Sequence, residues 1–112
     1  VGFTDKTSHD HYDVNKVIEG MDTSLPTITL DHNPERFDHH TYFTDLQLSG
    51  HTHNGQIFPG NIILHYYYQN SYGLSHYKNH YLLVSAGYGS WGFPFRLGTQ
   101  CEYDTIYLKL RK

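Results

Sequence analysis

Two short apolar runs, Thr27-Ile28-Thr29-Leu30 and Leu46-Gln47-Leu48, lead into polar turns that carry histidine. The first meets Asp31-His32-Asn33-Pro34, the second Gly50-His51-Thr52-His53-Asn54-Gly55-Gln56. This layout restricts the fold strongly. The runs are rich in strand formers and bounded by turn residues. Strands of one sheet can deliver their end loops to a common edge, where a rigid scaffold holds binding groups. Two histidines two residues apart would point to opposite faces of a strand. His51 and His53 can therefore serve one site only if the backbone turns between them, or if two ions lie side by side. Gly50 and Gly55 supply permissive backbone for such a turn.

The remaining pattern predicts an α+β chain in one piece, with strands in the majority. Val1 to Thr4 reads as a short strand and Asp5 to His11 as polar loop. Asp10 or Asp13 can cap a short helix over Val14, Val17, Ile18 and Met21, with Gly20 as its stop. Pro34 suits the first position of another helical turn. Ile62 to Tyr68, Tyr81 to Ser85 and Glu102 to Leu110 are expected to be strands, because each is rich in apolar or aromatic β-formers. Ala86 to Arg96 is expected to be a long loop.

With 112 residues the chain has the size of one domain with a modest core. Its net charge of −3 comes with scattered charges and no basic stripe, which argues against a nucleic-acid partner. No apolar run approaches the length needed to span a bilayer, and no signal-peptide pattern opens the chain. It begins abruptly at Val1-Gly2-Phe3, an apolar strand, and is expected to be a piece of a longer protein. A lone cysteine, Cys101, excludes an internal disulfide framework and reads as a core or strand thiol. Ten histidines justify looking for a metal site, since imidazole is the commonest metal ligand.

From Leu25 to Gln56 the sequence resembles the signature of calcineurin-like metallophosphoesterases. In that signature a histidine follows a strand and precedes an x-Pro turn, and Gly-His-x-His comes later at the end of another strand. The tail, Ser85-Ala86-Gly87-Tyr88-Gly89, Pro94-Phe95-Arg96 and Glu102 to Leu110, is also similar to the end of this family. The nearest pattern is that of small, often membrane-associated phosphoesterases with Gly-His-Thr-His-Gly-Gly-Gln. Asn54 stands where glycine is usual, a mild change because Asn tolerates left-handed backbone. The family's N-terminal motifs, Asp-x-His, Gly-Asp-x-x-Asp and Gly-Asn-His, are not found in residues 1–24. His9-Asp10-His11 has the wrong order for the first of them and reads as exposed loop.

The resemblance implies the C-terminal half of an α/β/β/α sandwich, in which two sheets pack face to face. It implies hydrolysis of a phosphate ester or pyrophosphate by two divalent ions, Mn, Fe or Zn. By motif, His32 and His51 would ligate one ion and His53 the other, each as neutral imidazole. His51 and His53 are thereby the catalytic candidates, and Arg96 the candidate for hydrogen-bonding a substrate phosphate, with a structural ion pair as the alternative. Asp31 reads as a solvated turn carboxylate, with acceptance from an imidazole N–H as the alternative. The loop aromatics Tyr88, Trp91, Phe93 and Phe95 are the candidate substrate contacts, while Tyr66, Tyr67 and Tyr68 read as ordinary strand residues. His39-His40, His65, His76 and His80 have no motif context. The implied substrate is a phosphorylated small molecule or lipid. Open sheet edges would allow a homo-oligomer. Membrane association and a cytoplasmic location both stay open, as any anchor would lie in the N-terminal part. The rival reading is a non-catalytic, His-rich metal-binding or interaction domain that uses His9, His11, His39 and His40.

Overall fold

The computed structural model describes residues 1–3, 13–37 and 41–109. Its centre is a five-stranded sheet. β1 (Gly2–Phe3), β2 (Ile28–Asp31), β3 (Leu46–Ser49) and β5 (His80–Val84) run parallel, and β4 (Gly73–Tyr77) closes one edge antiparallel to β5, in the order β1-β2-β3-β5-β4. A short helix α1 (Val14–Ile18) precedes β2, and Asp13 caps it by accepting from the Asn15 N–H at 3.0 Å. Asp10, the other cap candidate, lies outside the described residues. A 3-10 turn, Pro34–Arg36, follows β2 with Pro34 at its start, as the sequence predicts.

Three sequence expectations are corrected. Ile62 to Tyr68 is not a strand: Gly60–Tyr67 forms helix α2. The residues are strand formers by composition, but composition is a weak guide when neighbours decide. Here the tight turn after Gly55 starts the helix, with Ile62 and Ile63 N–H groups donating to the Pro59 carbonyl at 2.9 and 3.3 Å. Tyr66 and Tyr67 consequently stand on an exposed helix face, not in a strand. The second correction concerns the C-terminal run. Residues 102–109 lie in no strand, and Tyr103 and Tyr107 are exposed. Glu102 ties down the start of this run: its carboxylate accepts from Ala86 N–H and Tyr72 O–H, both at 2.7 Å. β4 is an addition that the sequence pattern did not signal. Cys101 is exposed, not a core or strand thiol.

The two faces of the sheet differ in an unexpected sense. One face turns Thr29, Asp31, Gln47, Ser49, Leu82 and Val84 inward, and the polar members are as buried as the apolar ones, with Gln47 fully enclosed at 0 % exposure. Buried polar groups have to be paired. Thr29 and Thr44 share a 2.6 Å hydroxyl contact, Gln47 Nε2 donates to Ser49 Oγ at 3.0 Å, and Asp31 Oδ1 accepts from Asn33 N–H at 3.1 Å. The opposite face is apolar yet open, with Leu30 54 % and Leu74 66 % exposed. The described residues thus supply one sheet of the implied sandwich, with an apolar face of the kind that a second layer buries.

Candidate functional site

Hydrogen-bond register decides where the histidine turns go. Leu30 pairs with Leu48 and Ser49 with Val84, so β2, β3 and β5 end at the same edge of the sheet. That edge, beyond the carboxyl ends of parallel strands, is where open α/β sheets place their ligands. The ladder continues one step past the strands, with Gly50 N–H donating to the His32 carbonyl at 3.1 Å and Ser85 N–H to the Ser49 carbonyl at 2.9 Å. His32 therefore lies beside Gly50-His51. The His32 and His51 rings meet edge-on with centroids 5.1 Å apart. A Cβ on Gly50 would stand 3.8 Å from His32 Nδ1, in ordinary contact.

After His51 the chain winds through unusual backbone. His51, His53, Asn54, Gly55 and Gln56 all have positive φ, 47° to 74°. The sequence assigns the turn's freedom to Gly50 and Gly55, but Gly50 is not among the left-handed residues; two histidines and a glutamine are. Asn54, at φ 48° and ψ 38°, takes the left-handed conformation expected of it. Non-glycine residues persist in such conformations only where their surroundings over-determine them, and they cluster at functional sites. Three side chains provide that hold. Thr52 Oγ1 donates to the Ser71 carbonyl at 2.7 Å. Gln56 Nε2 donates to the carbonyls of Trp91 and Phe93 at 2.7 and 3.0 Å. Arg96 Nη1 donates to the His53 carbonyl at 2.9 Å.

This turn leaves His53 within electrostatic reach of the other two histidines. Burial lowers the pKa of His53 most, the Arg96 charge lowers it further, and His32 and His51 add to the effect; a hydrogen bond to the Gly89 main chain opposes it. The net direction is downward, toward the neutral imidazole, the form that has a lone pair to donate. Among the described residues, no group of three or more His, Cys, Asp or Glu side chains encloses a common ion position. The His32 and His51 imidazoles, whose rings meet, are donors of the kind that a divalent metal takes. An open cleft of about 320 Å³ beside His32 has apolar walls from Phe3, Leu30 and Leu48. A separate cavity of about 360 Å³, between Phe37, Tyr68 and Leu82, contains none of the three histidines.

Other candidates fall out differently. Asp31 is buried at 2 % exposure, not a solvated turn carboxylate. Arg96 donates from its terminal nitrogens to the main-chain carbonyls of His53, Ala86, Gly87 and Gly89. Tyr88, Trp91, Phe93 and Phe95 are exposed, and the Phe93 and Phe95 rings lie 5.8 Å apart. His65 sits in α2 and His76 beside Tyr81, while His80 Nδ1 makes a short contact to the Thr44 carbonyl. His9, His11, His39 and His40 lie outside the described residues. Sequence reasoning assigned no role to Gln56 or Glu102, since an amide or carboxylate clamp leaves no periodic signal.

A parallel-strand sheet with histidine turns at its carboxyl edge defines a class of site-bearing α/β protein, and comparison with known proteins places it further. No protein-family model matches the chain, and no solved structure matches it significantly. Curated proteins do. The chain is 38 % identical over 101 residues to an uncharacterized metallophosphoesterase of Helicobacter pylori, covering 88 % of this chain and 27 % of that protein. It is 35 % identical over 103 residues to a bovine transmembrane protein with metallophosphoesterase domain, covering 87 % and 23 %. A metallophosphoesterase of Aquifex aeolicus is 36 % identical over 96 residues, covering 84 % and 37 %. The chain belongs to the calcineurin-like metallophosphoesterase family. It spans about a quarter of the length of the Helicobacter and bovine relatives, 27 % and 23 %. Membership implies dependence on a divalent metal.

Proposed function

We propose that this chain supplies His32, His51 and His53 to the two-metal centre of a phosphoesterase that hydrolyses a phosphate ester or pyrophosphate bond. The observation that carries the reading is the convergence of two strand-end turns, with the His32 and His51 rings 5.1 Å apart. In this reading His32 and His51 hold one ion and His53 the other. Mn, Fe and Zn all suit imidazole with carboxylate or amide ligands. Bound ions would supply Lewis-acid polarisation of the phosphoryl group and activation of water. The remaining ligands would come from the motifs that this chain lacks, which makes it the C-terminal part of the domain. A phosphorylated small molecule or a lipid is the substrate class, and the exposed loop aromatics would contact its non-phosphate portion.

The test uses the intact protein that carries this chain. His51→Ala and His53→Ala should each lose most hydrolysis of an activated phosphate ester in metal-saturating buffer, while His76→Ala, on the far edge strand, should retain it. Near-normal rates in both of the first two variants would refute the assignment. The 112-residue chain by itself should turn over no substrate with added Mn.

A further inference from the structure

The cavity between the end of α2 and the antiparallel edge of the sheet lies apart from the three histidines. Its volume is about 360 Å³, at the small end of the range for small-molecule sites. Phe37 and Leu82, both part of the buried core, supply its floor. Its wall is tied down by Asn70, on the connection from α2 to β4. Asn70 Nδ2 donates to the Gly73 carbonyl at 3.1 Å and to Ser75 Oγ at 3.0 Å, while its Oδ1 accepts from the Tyr72 N–H at 3.3 Å.

Three features of the lining point to one ligand chemistry. Phe37, Tyr67, Tyr68 and Tyr77 all contribute rings, and the face of an aromatic ring attracts cations. Tyr77 already takes one, the Lys78 Nζ, 5.3 Å from its ring centroid. The C-terminal end of α2 reaches the cavity through Tyr67 and Tyr68, and the last carbonyls of a helix carry negative partial charge. Glu35, whose N–H donates to Asn33 Oδ1 at 3.0 Å, is the only Asp, Glu, Lys or Arg among the described lining residues. An anion would find no Lys or Arg there, and a bare metal ion would meet largely aromatic walls. We propose that this cavity binds a compact quaternary ammonium ion, with the aromatic rings around its methyl groups and Glu35 as the counter-ion. A methylated ammonium suits it better than a primary amine, because an N–H donor taken from water would need hydrogen-bond acceptors that rings do not supply.

The experiment titrates choline into the intact protein that carries this chain, by calorimetry. Saturable binding with a Kd of about 1 mM or tighter is expected, as a few cation–π contacts can supply. The uncharged isostere, with tert-butyl in place of trimethylammonium, should bind at least about tenfold more weakly. Tyr77→Leu and Glu35→Gln should each weaken choline binding by roughly threefold or more, and Tyr103→Leu, at an exposed tyrosine outside the cavity, should not. Glu35 is exposed and its replacement keeps its shape, so that arm does not hang on a variant that fails to fold. A wild type that binds no choline overturns the proposal, and so does equal affinity for the isostere, which would make the cavity merely apolar. Glu35→Gln without effect, or equal losses in Tyr77→Leu and Tyr103→Leu, would place choline elsewhere and overturn it too. None of these measurements reads hydrolysis, so their outcome is separate from that of the metal-centre proposal.

Discussion

Gln56 and Trp91 are joined by two reciprocal hydrogen bonds: Gln56 Nε2 donates to the Trp91 carbonyl at 2.7 Å, and the Trp91 N–H donates to Gln56 Oε1 at 2.5 Å. An amide side chain here imitates a strand partner. It fastens the histidine turn to a loop 35 residues away. The main chain adds a second fastening, since the Gln56 carbonyl accepts from Leu97 N–H at 2.9 Å and Thr99 O–H at 3.0 Å.

Gln56→Ala should therefore destabilise the fold by about 2–4 kcal/mol, the sum of three hydrogen bonds at typical net worth, because Gln56 is buried and the loop's carbonyls lose their donor. Gln56→Glu should be no better, as it turns an oxygen toward the Trp91 and Phe93 carbonyls. Urea unfolding checks the magnitude. Hydrogen exchange at the Trp91 amide checks the mechanism, since it should accelerate before global unfolding.

Gly55 and Gly73 share positive φ, 74° and 82°, but not surroundings. A Cβ at Gly55 would fall 2.1 Å from the Asn61 nitrogen, whereas nothing lies within 4 Å of one at Gly73. Gly73→Ala should cost about 1–2 kcal/mol, the penalty of left-handed backbone alone. Gly55→Ala adds a clash with backbone, and thermal unfolding should show it several times more damaging. Equal shifts in the two variants would mean that α2 does not pack on the turn as described.

His53 has a folded pKa below the unfolded value of about 6.5, owing chiefly to burial and then to Arg96. Between the two values the unfolded chain binds more protons. Stability there rises with pH, is complete above the unfolded pKa, and is lost as pH falls toward the folded one. The stability lost between pH 7.5 and 5.5 should shrink in His53→Gln. Metal affinity should fall in the same direction, because protons compete for the imidazole. A denaturant series at both pH values, with and without Zn²⁺, checks both statements.

Glu102 accepts from Tyr72 O–H, and this hydrogen bond is the largest cause of the raised Tyr72 pKa. Being raised, it favours folding below about pH 10, and that contribution is lost as pH climbs through the folded value. Tyr72→Phe should cost less than about 1 kcal/mol, since the pair is solvent-exposed. Glu102→Ala should cost more, because it also removes the acceptor of the Ala86 N–H. Comparing the two variants by urea unfolding separates the contributions.

Local chemistry was enough to read some features from the sequence: the strand-to-histidine junctions at His32 and His51, the Asp13 cap, Pro34 at the head of its turn and the left-handed Asn54. Each depends on neighbours within a few residues, which a sequence lists. Helix α2 was not legible, because Asn61-Ile62-Ile63-Leu64-His65-Tyr66-Tyr67 has strand composition and the turn at Gly55 overrides it. Nor was the inward burial of Thr29, Asp31 and Gln47, since alternation states that two faces differ and not which one is covered. The sequence determined which residues stand at strand ends. Register and long-range clamps, Arg96 on His53 across 43 residues and Gln56 on Trp91 across 35, decided that those ends lie together at one edge of the sheet. Such pairings carry no periodicity, and they take their meaning from a backbone already folded.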